Sequence, residues 1–185
     1  MLSLIKQEGV VSDAWKLLTL AENQQAETVS LPIGPLLVPL AVWRARRREL
    51  VEREYAHGWP LGVWLAASEG PKAIADDIED FSVIAVHFPE SGDGRGCFTA
   101  RLLRRRHGYR GELRAFGEVL REQVFYLRCS GFDAFALRAD QAERAPVGGL
   151  HDIDRAAQAA AKQPLRLVPR RPAPELHRLA TARTA

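Results

Sequence analysis

The sequence predicts an α/β protein built on a mostly parallel sheet, and three observations carry that expectation. From Pro60 to Arg138 apolar runs alternate with helical segments. The runs, Val83-Ile84-Ala85-Val86 among them, are apolar at successive positions, as strands sandwiched between helix layers must be. A length of 185 residues suits one domain, because a single core of this size buries roughly two-thirds of the unfolded surface. Half-barrel and doubly wound arrangements both satisfy this pattern.

In chain order, Ala14 to Leu20 reads as a strand and Glu22 to Thr28 as a polar loop. Leu40 to Tyr55 places charges at helical spacing without Gly or Pro until Gly58, which predicts a helix stopped there. A strand Leu61 to Ala66, a helix Lys72 to Phe81 and a strand Val83 to Phe88 follow. A glycine loop then leads into a helix Phe98 to His107, a strand Glu112 to Phe116, a helix Glu118 to Ser130 and a strand Ala134 to Arg138. In the helix after the loop, Phe98, Thr99, Leu102 and Leu103 share the inward arc, which turns Arg101 and Arg104 toward solvent. In the next, Val119, Leu120, Val124, Tyr126 and Leu127 form an apolar arc containing Gln123, whose buried amide needs partners. Asp152 to Lys162 reads as a short alanine-rich helix ended by Pro164. The expected organisation is a domain over residues 1–163, with its core at about 60–140, and a Pro/Arg/Ala-rich disordered tail over 164–185.

Composition excludes several classes. The longest apolar candidate, Leu31 to Trp43, is interrupted by Pro32, Pro35 and Pro39, so no membrane span of roughly 20 residues is available. Lys6 and Glu8 interrupt the N-terminal stretch, so secretion is not indicated and a cytoplasmic location is expected. The two cysteines, Cys97 and Cys129, supply neither a disulfide framework nor a metal pair. Scattered histidines add no ligand spacing, so no metal is expected. A net charge of +3 and arginine clusters at 46–48, 104–106 and 170–171 raise a nucleic-acid reading, but no recognition motif accompanies them and it is not favoured.

Ligands of parallel α/β folds bind beyond the C-terminal ends of the strands. That rim holds Ser68, Glu69, the loop Ser91 to Gly96, Gly117, Glu118, Arg138 and Asp140. The glycine loop is its most distinctive feature. Gly92, Gly94 and Gly96 permit a tight turn that aims backbone N–H groups and a helix N-terminus at an anion, with Arg95 adding charge and Asp93 free to cap. A tight capped turn with no ligand is the competing reading. The glycine spacing does not fit a dinucleotide fingerprint, and Cys97 and Phe98 stand where a P-loop needs lysine and hydroxyl. No cofactor is therefore expected. Cys97, at the helix start, reads as a quiet thiol and Cys129 as a core residue. Glu112 and Arg114, two apart on one strand, face the same side as either an ion pair or a ligand contact. The candidate anion or ligand site thus comprises Gly92, Asp93, Gly94, Arg95, Gly96, Arg114, Gly117, Glu118 and Gln123, with no catalytic residue identified.

Four segments carry a family resemblance: Asp93-Gly94-Arg95-Gly96, Ala100-Arg101-Leu102-Leu103-Arg104, Gly108-Tyr109 through Gly111-Glu112-Leu113-Arg114-Ala115, and Gly131-Phe132-Asp133-Ala134-Phe135. Over about the central half of the chain they resemble domain-of-unknown-function family 934, a bacterial family often labelled a probable oxidoreductase involved in sulfite reduction. The resemblance implies an accessory role in assimilatory sulfite reduction, with sulfite reductase components as partners, and carries over no catalytic residue. The alternatives are a small half-barrel enzyme that binds a phosphate- or sulfate-bearing metabolite, and a true oxidoreductase as the label says. The chain departs from the family pattern at Cys97, where an aromatic residue is expected, and at Glu118 and Glu122, where aspartates are expected.

Overall fold

A computed structural model of the chain describes residues 3–6 and 9–137. The expected helix at Asp152 to Lys162, the tail at 164–185, and Arg138 and Asp140 lie outside the described residues.

An eight-stranded sheet organises the fold: β1 (Ser3–Lys6), β2 (Gly9–Ser12), β3 (Lys16–Leu17), β4 (Leu36–Pro39), β5 (Leu61–Leu65), β6 (Val83–Phe88), β7 (Glu112–Gly117) and β8 (Ala134–Ala136). The spatial order is β2-β1-β8-β7-β6-β5-β4-β3. Strands β3 to β8 are parallel and stand side by side in chain order, while β1 runs antiparallel to both β8 and β2. Because the order never reverses, right-handed crossovers leave every helix on the same side. Of the two expected arrangements, the half-barrel is the one formed.

The core agrees with this one-sided cover. Helices α1 (Leu40–His57), α2 (Gly94–Arg105) and α3 (Val124–Cys129) bury Leu40, Trp43 and Leu50, then Cys97, Ala100 and Leu103, then Val124 and Leu127. These pack with Leu36, Val38, Val63, Ile84, Val86, Leu113 and Phe135, alternate residues of the strands. The residues between them, Leu37, Val83 and Ala85, form a separate cluster on the opposite face with Trp15, Leu17, Trp64 and Phe116. The strands are apolar on both faces, as expected, but no helix covers the second face among the described residues.

The link from β2 to β3 shapes that second face. Only Asp13, Ala14 and Trp15 separate the two edge strands of the sheet. Four virtual bonds from Ser12 to Lys16 reach at most about 14 Å, whereas eight flat strands would hold their edges roughly 34 Å apart. The sheet must therefore curl until its edges nearly meet. The connector's side chains point into the hollow: Asp13 reaches Arg114 on β7, and a ring carbon of Trp15 would lie 3.2 Å from a Cβ at Gly62 on β5.

Other expectations are corrected in detail. Lys72 to Phe81 is two 3₁₀ turns, Pro71–Ile74 and Ile78–Asp80, whose buried Pro71, Ile74 and Ile78 reproduce a helical spacing without a helix. The helix from Glu118 begins only at Val124, after a 3₁₀ turn at Arg121–Gln123. The expected strand Ala14 to Leu20 contracts to Lys16–Leu17.

Candidate functional site

The loop after β6 folds from its own chemistry. Gly92 adopts φ +95°, a left-handed conformation favouring glycine. Asp93 is the N-cap of α2, its carboxylate accepting the Arg95 N–H at 3.0 Å. The Arg95 side chain folds back on the same carboxylate, with Nε at 2.9 Å and Nη2 at 2.6 Å. This pairing holds the Asp93 carboxyl below the usual carboxylate range. Gly96 meets a packing need, since a Cβ there would overlap the Phe88 ring. The loop joins a parallel strand to a helix N-terminus, as the anion reading requires, and the Arg95 charge is already met by Asp93.

The nominated residues divide between two places. Gly117 has φ +102°, and a Cβ on it would overlap the Phe88 carbonyl and press on the His87 ring, so β7 ends tightly against β6. The Glu118 N–H bonds the same carbonyl at 2.8 Å, which puts Gly117 and Glu118 beside the strand that feeds the loop. Gln123 is half-buried, and its side-chain oxygen accepts the Leu120 N–H at 3.0 Å, so the partner its amide needed is local. Arg114 lies apart, in the hollow of the sheet.

There Arg114 is 3% exposed. Its Nη1 contacts both Asp13 carboxylate oxygens at 3.0 and 2.9 Å, and its Nε pairs with Glu112. Glu112 also takes Lys6 Nζ at 2.7 Å, and the guanidinium sits 5.3 Å from the Trp15 ring centroid. Two cations and two anions close this network with formal neutrality. Sequence reading anticipated the Glu112–Arg114 half of it. Lys6, Asp13 and Trp15 carry no local signal, because their partners are about a hundred residues away in the chain.

Beyond this network, toward the C-terminal strand ends, Trp64, His87 and Phe116 form a ring cluster on three adjacent strands, with centroid separations of 5.0 to 6.1 Å. Trp64 is fixed by its indole N–H, which donates to the Leu18 carbonyl at 2.8 Å. The alternation of β6, with His87 on the face of Val83 and Ala85, is the signal that would have found the histidine.

On the outside of the fold, α2 and the segment Ala67 to Ala73 enclose a cleft of about 920 Å³. Phe98, expected inward, is 63% exposed and forms part of its wall, while Tyr126 on α3 is 54% exposed under the Arg101 guanidinium. Arg104, expected outward, turns in to bond the carbonyls of Tyr109, Gly111 and Gly131, and pairs with Asp133. Burial pushes the Cys97 thiol up, outweighing a hydrogen bond with Ser130, so the helix start does not activate it. Cys129 is exposed, not a core residue. Among the described residues no three His, Cys, Asp or Glu side chains group as a metal set would require. No helix among them is long and apolar enough to cross a membrane.

A family model described as "Bacterial protein of unknown function (DUF934)" matches residues 62–168, more than half of the chain. The chain belongs to the DUF934 family. No curated protein matches it. The matched stretch of this DUF934 protein opens in β5 and takes in the glycine loop, α2, Arg114 and all three rings of the cluster. The Asp13 and Trp15 connector precedes it.

Proposed function

We propose that this DUF934 protein is an accessory protein of assimilatory sulfite reduction that works by contact with the sulfite reductase system. The sulfite context comes from the family resemblance alone. The observation that carries the contact role is the distribution of cationic charge. Arg95 and Arg114, the arginines nominated for anion capture, are each neutralised by carboxylates. Arg105 and Arg106 make no ion pair among the described residues and sit at the exposed end of α2, the helix that also presents Phe98. Exposed aromatic and cationic side chains on one helix suit a protein partner better than a buried small anion.

A deletion strain should grow poorly on sulfate or sulfite as sole sulfur source and recover on cysteine, and purified sulfite reductase should bind the immobilised chain. Normal growth on every sulfur source, or no binding of sulfite reductase, would remove the proposal.

His87 favours a second reading, the half-barrel enzyme. It stands at the C-terminal end of β6, where such folds bind ligands, and neither ring nitrogen has a hydrogen-bond partner among the described residues. The loop at Gly92 to Gly96 and Glu118 would then border the ligand. Perturbation of the His87 ring resonances by sulfate, sulfite or phosphate would favour this reading over the first. A bound redox chromophore in the purified protein would favour the oxidoreductase label.

A further inference from the structure

We propose that the cleft between α2 and the Ala67–Ala73 segment docks a short acidic segment of a partner protein, anchored by one large apolar side chain against Phe98. This deepens the contact role proposed above and rests on it.

Shape and charge argue together. The cleft's apolar wall is formed by Ala67, Pro71, Ala73, Phe98 and Leu102. Single exposed apolar residues are ordinary on protein surfaces, but this phenylalanine faces a concave space with apolar neighbours, where a partner side chain could be covered on several sides. About 920 Å³ is room for a bulky side chain and the backbone carrying it. The cations at the cleft are Lys72, Arg95 and Arg106, with His107 beside them. Arg95 is satisfied by Asp93, whereas Lys72 and Arg106 have no carboxylate partner among the described residues. The cleft's acid, Glu69, is engaged by the Ala66 N–H at 2.7 Å.

Against the single carboxylate of Glu69, Lys72 and Arg106 therefore leave an excess of positive charge beside an apolar wall. An inorganic anion would satisfy the charge and leave the wall wet. A nucleic acid would find cations and one aromatic ring without the groove of successive stacking platforms that single strands use. An acidic segment with a hydrophobic anchor satisfies both features, with the carboxylates setting orientation and the anchor supplying burial.

The test uses the full chain and a fluorescein-labelled peptide of glutamates around a central tryptophan, followed by anisotropy at low salt. Saturable binding is expected, weakening with salt, and weakening roughly tenfold or more in Phe98→Asp and in Lys72→Glu/Arg106→Glu. Arg101→Ala, outside the cleft lining, should bind as the parent does. Because Phe98, Lys72 and Arg106 are exposed, these variants should keep the parent's thermal unfolding, which confirms that binding and not folding is read.

Absence of binding, equal binding by Phe98→Asp, or equal binding of a peptide with serine for tryptophan would overturn the inference. So would tighter binding of a single-stranded oligonucleotide, or a dimer of the chain dissociated by Phe98→Asp. If sulfite reductase binds Phe98→Asp as well as the parent, this docking site fails and the accessory role stands. If the peptide binds as expected and sulfite reductase does not, the docking site stands and the sulfite role fails.

Discussion

The two faces of the sheet are made by alternate residues of the same strands, yet they are stabilised differently. The helix-covered face is aliphatic and closes with side chains from α1, α2 and α3. The opposite face has no helix among the described residues, and it is filled by aromatic rings and a neutral ion network, part of which comes from the three-residue connector. The first face is tolerant of which aliphatic residue fills it, provided volume is kept. The second depends on particular partners, because each buried charge is acceptable only while its counterpart is present.

Adjacent residues of β7 put this difference to the test. Arg114→Ala leaves Asp13 without a cation and Glu112 with Lys6 alone, and should cost about 3–5 kcal/mol in urea unfolding. Replacing all four members, Lys6, Asp13, Glu112 and Arg114, by apolar or amide residues of similar size should recover most of that loss. If the single variant costs little, the network is not what holds the second face. Leu113→Ala, on the helix-covered face and completely buried, should cost about 2–5 kcal/mol by cavity formation. Here Leu113→Met should recover most of the loss without any compensating change elsewhere.

A smaller effect is expected where a helix meets the first face. Gly96→Ala would push a methyl into the Phe88 ring, an overpacking cost of about 1–3 kcal/mol, measurable in the same unfolding assay. Gly94→Ala, with nothing near the added carbon, is the neutral comparison. The smallest effect belongs to Asp93 at the exposed end of that helix. Its folded-state pKa is depressed by Arg95, so its charge stabilises the fold above the ordinary carboxylate range, and that contribution is lost as pH falls through the depressed value. Asp93→Asn keeps a capping side chain and should flatten this part of the pH profile. An unchanged profile would mean that the Arg95 pairing contributes nothing to folding.

Strands β5, β6 and β8 were legible because each is a mostly apolar run bounded by Gly, Pro or polar residues, and β7 because Glu112 and Arg114 alternate with Leu113 and Ala115, so local pattern and tertiary role agree. Strands β1 and β2 were not, because four-residue segments acquire strand structure only by pairing, and β1 pairs with β8 at the other end of the described chain. Ile74 and Ile78 misled for a different reason: their spacing fits a helix, but Gly70 and Pro71 open tight turns that bury the same residues. In the glycine loop the cap and the turn follow from neighbouring residues and could be read directly. The surroundings of Arg114 could not, since a pattern places it on a face but does not say that Asp13 will lie opposite. Phe98 and Arg104 exchanged their expected sides because backbone carbonyls near Gly131 and Tyr109 draw the arginine inward, which periodicity does not register.

The short connector also sets an order of events during synthesis. Strands β3 to β7 can each add to the one before as they leave the ribosome, since their neighbours in space are their neighbours in time. The β1–β2 hairpin emerges earlier but has nothing to join until β8 is made, a wait on the order of ten seconds at ordinary elongation rates. Through that interval it is a lone two-stranded ribbon, which is marginal in water. The salt bridge from Asp13 to Arg114 therefore reports the closing step of assembly, and a chain truncated before Ala134 should hold the helix-side contacts of β4 to β7 while its N-terminal hairpin remains undocked.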